Sequence, residues 1–147
     1  RPGHGIAHTA PRRGSGVGWP SLACRDTESS PRLLSGAQRL SDAAVALGAR
    51  GAAHVLVTGG DEAGTEPRTD WHWHDGAVRA LSRSRWAQSY HGAGCTLDAS
   101  IAALLARGLS PTTAIDQASA QVHAWLGTPK VIGGGRPSPL RQGPVAP

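Results

Sequence analysis

The middle of this chain is left to supply most of the apolar surface that could build a core. Gly (20) and Pro (11) are abundant among its 147 residues, and nine of the 11 prolines lie in the two ends with a dense share of the glycines, where they favour turns over periodic elements. Residues 1–35 (RPGHGIAHTAPRRGSGVGWPSLACRDTESSPRLLS) and 128–147 (TPKVIGGGRPSPLRQGPVAP) show neither helical nor strand periodicity. They are expected to be an irregular or disordered segment and a Gly- and Pro-rich tail. The remaining stretch, 36–127, supports one core, so a single domain is expected there.

Periodicity inside that stretch is legible. In GAQRLSDAAVALGA (36–49), Leu40, Ala43, Ala44 and Leu47 share one helical face, and Gly48 or Gly51 is placed to end the helix. AHVLVTGG (53–60) is a β-branched run closed by two glycines. Its apolar residues fall on both faces, as in a strand buried in a parallel sheet. DWHWHDGAVRALSRSRW (70–86) alternates Trp71 and Trp73 with His72 and His74, turns at Asp75-Gly76 and resumes extended, the pattern of a β-hairpin.

Two helices follow. One runs from Cys95 to Arg107 with Leu97, Ile101, Leu104 and Leu105 at helical spacing and Gly108 as its stop. For the next, Ser110 is the N-cap, Pro111 the first helical residue, Ala114, Ile115, Ala118, Val122 and Trp125 the buried stripe, and Gly127 the end. Helix, buried strand, hairpin and two helices together make an α/β class.

Charge narrows the function classes only a little. The formal net charge is +5, which raises the expectation of a polyanion partner. Yet Lys130 is the only lysine, and the arginines are spread among Gly, Pro and Ser without aromatic interleaving, so no nucleic-acid partner is expected. No apolar run reaches the length of a membrane span, so no membrane partner is expected either. Cys24 and Cys95 sit in unlike contexts with nothing secretory ahead of them, which favours reduced thiols and a cytoplasmic setting over one disulfide.

The candidate chemistry lies in two glycine loops, TGGD (58–61) and HGAG (91–94), the second running into Cys95 and a helix. Gly lets the backbone approach an anion, and a helix N-terminus adds partial positive charge there. Phosphoryl transfer needs aligned donors and a group to serve the attacking hydroxyl; the amides of 92–95 and the Cys95 thiol are of those types. Short Gly motifs also occur as plain turns, and Cys95 is equally readable as a small buried residue. His72, His74 and His91 could in principle hold zinc, but alternating His and Trp also describes a half-buried edge, and no metal is assigned. The Trp pair is expected to cover the sheet. Asp98 and Asp116 favour the helix dipole in the first turns of their helices.

YHGAGCTLDASIAALLARGLSPTTAIDQASAQV (90–122) resembles the C-terminal signature of hydroxymethylpyrimidine and phosphomethylpyrimidine kinases of thiamine biosynthesis, members of the ribokinase-like superfamily. AHVLVTGGD (53–61) is similar to that family's buried strand and Gly-Gly nucleotide loop. The resemblance implies the C-terminal part of a three-layer α/β/α fold. It implies ATP and Mg2+ as cofactors and a small pyrimidine as substrate, phosphorylated at its hydroxymethyl group and then as the monophosphate. Cys95 becomes the catalytic residue, Gly92, Ala93 and Gly94 the anion hole, and Thr58, Gly59 and Gly60 the nucleotide contacts. A homodimer is an assembly that the resemblance allows.

The likeness spans about 36–126 and includes departures. Thr58 and Asp61 flank the glycines where the family often has Lys and His, Ser119 falls where a Lys is frequent, and RDTESSPRLL (25–34) does not show the family's Thr-Pro-Asn segment. The family's N-terminal half, with its first strands and most of the pyrimidine pocket, has no counterpart in the sequence. The isolated chain is therefore expected to be poorly active or inactive. The alternatives are a non-catalytic, nucleotide-binding remnant and a pyridoxal-type kinase.

Overall fold

In the computed structural model, residues 22–25, 36–59, 67–129, 131 and 134–139 are described. Arg1–Ser84 and Arg85–Pro147 form two compact units. The first holds strands β1 (Leu22–Arg25), β2 (His54–Val57), β3 (Arg68–His74) and β4 (Ala77–Arg83), with helix α1 (Leu40–Gly48) between β1 and β2. The second holds α2 (Ala93–Ala106) and α3 (Pro111–Gly127).

The four strands make one sheet in the order β1-β2-β3-β4. β2 pairs parallel with β1, Leu22 opposite His54, and antiparallel with β3, Val57 opposite Trp71. The sheet is therefore mixed where the sequence suggested a parallel surround, because the hairpin folds back directly onto β2. All four residues of β2 are buried, as its two-sided apolar pattern requires. The β3–β4 hairpin turns on Asp75 (φ 54°) and Gly76 (φ 79°), two left-handed residues of the kind a two-residue hairpin needs.

Period-2 alternation sorts the sheet residues between its faces. Val55 and Val57 meet Leu40 and Ala44 of α1, and Trp71 and Trp73 close over this cluster. Covering the sheet is thus what the Trp pair does. Gly48 is essential to the fit: a Cβ there would lie 2.2 Å from the Trp73 ring. The helix begins at Leu40, four residues later than its periodicity allows, because Gly36 adopts φ 72° and Arg39 is extended.

In the second unit, α2 and α3 pack on each other. Leu97, Ile101 and Leu104 are buried on α2, and Ala114, Ile115, Ala118, Val122 and Leu126 on α3. Ser110 caps α3 by accepting a bond from the Thr113 amide (3.2 Å), with Pro111 in the first turn, as the sequence indicates. Gly108 (φ 88°) ends the α2 turn, its amide donating to Leu105 O at 2.9 Å. Leu126, not Trp125, takes the last core position, and Leu105 is only half-buried.

Two expectations need correcting. Leu22–Arg25 is a strand inside the segment expected to be irregular. Four residues are too few to show a period, and their pairing with β2 is made across the chain rather than locally. The helix after the glycine turn starts at Ala93, so Gly94 and Cys95 belong to its first turn and Cys95 does not open it. Most of 1–35, the remainder of 128–147 and Gly60 lie outside the described residues. Among the described residues, no helix is long and apolar enough to cross a membrane.

Candidate active site

The segment leading into the glycine turn is anchored at its own end of the second unit. Trp86 Nε1 donates to His123 O (3.2 Å) and the Tyr90 hydroxyl donates to Leu126 O (2.7 Å). Both use carbonyls near the C-terminal end of α3, and Leu126 O is among the last four, where intrahelical donors run out. Gln88 Nε2 donates to the Tyr90 oxygen (2.9 Å), and the His91 amide donates to Pro137 O (2.9 Å). The Gly- and Pro-rich tail therefore contributes a fixed contact beside the turn, which no periodicity could have revealed.

Gly92 then enters the left-handed region (φ 77°) and forms the N-cap of α2, a conformation that costs a side-chain-bearing residue far more than Gly. Its carbonyl accepts from the Thr96 amide (2.9 Å) and the Thr96 hydroxyl (2.7 Å), so the first helical bond is doubled. Being Gly, the N-cap has no side chain to satisfy the next donors, and no side chain caps this helix. The amides of Ala93, Gly94 and Cys95 are first-turn donors without an intrahelical acceptor, and they carry the positive end of a 14-residue helix. Gly92, Ala93, Gly94 and Cys95 are thus brought together as the sequence suggests.

Cys95 is a free, exposed thiol, so its reading as a small buried residue does not hold. It stands at a groove of about 310 Å³ between α2 and α3 whose walls include Ala99, Ala103, Arg107, Gln121 and Trp125. Cys95, Ala99 and Ala103 follow one another at four-residue spacing, so small side chains on α2 keep the groove open. This is where Trp125 is used in place of the core position.

The other glycine loop belongs to the first unit. Thr58 and Gly59 are buried where β2 ends. Gly59 is required there, since a Cβ would lie 2.3 Å from Thr69 O on the neighbouring strand. Its amide donates to Asp70 Oδ1 at 2.9 Å, so this donor is already engaged. Asp70 is 4% exposed and receives Arg68 as a fork, Nε on Oδ1 and Nη2 on Oδ2, both at 3.1 Å. Sequence reasoning passed over both residues; their i, i+2 spacing on one strand face, an acid beside a base, was the available signal.

The same face carries a buried imidazole chain. Arg79 Nε donates to His72 Nδ1 (3.0 Å), and because Arg can only donate, the His72 proton sits on Nε2 and points to His54 Nδ1 (3.1 Å). His54 stacks on His74 with ring centroids 3.9 Å apart, and His74 Nδ1 meets Ala53 O at 3.1 Å. Burial, then the neighbouring His74 ring, hold the His54 pKa below the ordinary imidazole value, against a smaller opposing pull from Asp75. His54 is 6% and His72 1% exposed, so these two are buried structural polar groups, whereas His74, at the end of β3, is exposed. Among the described residues, no group of three His, Cys, Asp or Glu side chains is arranged to hold a metal ion.

Known proteins resemble the chain in sequence and fold. The Phosphomethylpyrimidine kinase family matches residues 30–138. A hydroxymethylpyrimidine/phosphomethylpyrimidine kinase of Rhizobium meliloti is 40% identical over 74 residues, half of this chain and 28% of that protein. An inferred pyridoxine kinase of Staphylococcus aureus is 34% identical over 90 residues, 60% of this chain and 33% of that one. Among solved structures, the pyridoxal kinase of S. aureus in complex with AMP-PCP and pyridoxal superposes with a TM-score of 0.72 at 27% identity, over 82% of this chain and 48% of that chain. The Bacillus subtilis pyridoxal kinase in its ADP complex gives 0.67 at 28% identity, over 74% and 43%. The chain spans about a third of the length of these curated relatives. Its α/β fold is the C-terminal part of the ribokinase-like fold, and the chain belongs to the phosphomethylpyrimidine kinase family.

Proposed function

We propose that this chain carries the phosphate-handling part of an ATP-dependent kinase that phosphorylates hydroxymethylpyrimidine and its monophosphate. The observation that carries this reading is the Gly92 cap, which leaves the amides of Ala93, Gly94 and Cys95 at the start of α2 beside an exposed thiol. Those amides stabilise negative charge on the transferred group, because they are fixed before the reaction and need no reorganisation. Cys95 positions the acceptor hydroxyl and, reacting as its thiolate, takes that hydroxyl's proton and becomes the thiol as the oxygen bonds to the γ-phosphorus. The β,γ-bridging oxygen leaves with ADP. Thr58, Gly59 and Gly60 shape the nucleotide loop. Mg2+ bound with the nucleotide would neutralise its phosphates; no group of acidic residues among the described ones is arranged to hold the ion alone.

The pyridoxal-type reading has its own support: solved structures that resemble the fold include pyridoxal kinases with ADP or AMP-PCP. Both readings share the same chemistry at Cys95 and differ in the acceptor. A coupled ADP-release assay on the chain, with hydroxymethylpyrimidine and pyridoxal as separate acceptors, separates them. Slow release that depends on hydroxymethylpyrimidine and disappears in Cys95→Ala is the expected result. Release that depends on pyridoxal alone selects the second reading, and acceptor-dependent release that survives Cys95→Ala contradicts the role given to the thiol.

A further inference from the structure

Asp70 is a buried carboxylate that the apolar packing of the first unit does not explain. The paired register of β2 and β3 stops at Val57 opposite Trp71. Beyond it, Gly59 runs so close to Thr69 that no side chain fits. At that point the Asp70 carboxylate accepts the Gly59 amide, and Arg68 holds the carboxylate from its other side through two bonds. A charged acceptor makes a stronger bond to an amide than a neutral one, and the Arg fork fixes its direction.

We propose that Asp70, oriented by Arg68, is a positioning residue for the nucleotide loop. It clamps the Gly59 amide and so fixes the backbone where the chain leaves β2. This rests on reading Thr58–Gly60 as the nucleotide loop. Because the Gly59 amide is taken by Asp70, Gly59 contributes shape to that loop and not a hydrogen bond to phosphate. Asp70 touches no nucleotide in this account; it acts through the backbone.

Two readouts on the full chain test this: calorimetric titration with Mg·ADP, and hydrogen exchange at the Gly59 amide. Asp70→Ala is expected to weaken Mg·ADP about tenfold or more and to speed Gly59 exchange, since a buried donor loses its acceptor. Asp70→Asn restores an oxygen for the amide and is expected to recover most of the affinity. Faster Gly59 exchange in Asp70→Ala with unchanged affinity overturns the proposal and leaves the nucleotide reading intact. Absence of Mg·ADP binding by the unaltered chain overturns the nucleotide reading and this proposal together. Should Asp70→Ala lose exchange protection throughout β2–β4, Arg68→Gln carries the test. That variant keeps the carboxylate but frees its direction, and is expected to bind several-fold more weakly with faster Gly59 exchange. Wild-type values for both quantities in Arg68→Gln would overturn the proposal.

Discussion

The two units of this chain are held together by different physics. The second is built from local signals: a Ser-Pro start to α3, a Gly stop after α2, and apolar stripes that meet as two helices pack. The first depends on pairings between residues far apart in sequence, and one face of its sheet buries polar groups. His54, His72 and Asp70 are all at most 6% exposed. Buried polar groups keep their place only when each donor finds an acceptor. The first unit should therefore respond to changes in backbone fit and proton balance, and the second to changes in apolar volume and capping.

The largest effect is expected in the helical unit. Ile115 is fully buried, and Ile115→Ala should cost about 3 kcal/mol through lost burial and a residual cavity. Denaturant unfolding followed by exchange of the α2 and α3 amides measures it, and a loss below about 1 kcal/mol would show that apolar volume does not hold this unit. Next comes Gly59→Ala, whose new methyl meets the backbone of Thr69. It should destabilise β2–β4 by about 2 kcal/mol, within the range for overpacking, seen as faster exchange in those strands. Unchanged exchange there would remove the close fit from the comparison.

Ser110→Ala removes the bond to the Thr113 amide and should cost about 1 kcal/mol. Replacement by Asp should recover most of that, and failure to do so would mean that capping is not the reason for Ser110. The smallest effect is a pH dependence of the first unit. His54 has a lowered pKa when folded, so the unfolded chain binds the proton more readily, and stability rises with pH across that window. The contribution is present above about pH 6.5, the ordinary imidazole value, and is lost as pH falls below it. Exchange protection of β2–β4 at pH 7.5 and 5.5 measures this, and His54→Asn should flatten the difference. An equal pH response in the variant would break this part of the comparison.

The same contrast explains what the sequence disclosed. The caps and stripes of α2 and α3, the Asp75-Gly76 turn and the buried β2 run were readable because each rests on residues within a few positions of one another. Cys95 and its glycines were readable as a constellation for that reason too. The two-residue error at the start of α2 arose because the left-handed cap falls at Gly92, so the helix begins at Ala93 and not at Cys95. β1 is four residues long and exists only through β2. The Asp70–Gly59 bond spans 11 residues and the His54–His72 bond 18, distances over which no local pattern names a partner. The polar face of the sheet was hidden for the same reason: alternation predicted two faces but not that His54, His72 and Asp70 would be buried on one of them.

The central claim is that the start of α2 is a phosphate site. Calorimetric titration of the chain with Mg·ATP, beside Gly94→Val and Cys95→Asp, tests it most directly. Gly94→Val puts a branched side chain into the first turn of α2, whereas Cys95→Asp changes the thiol and keeps the amides in place. The account predicts binding that survives Cys95→Asp and is lost in Gly94→Val. Binding that is unchanged in Gly94→Val, or absent from the unaltered chain, would contradict it.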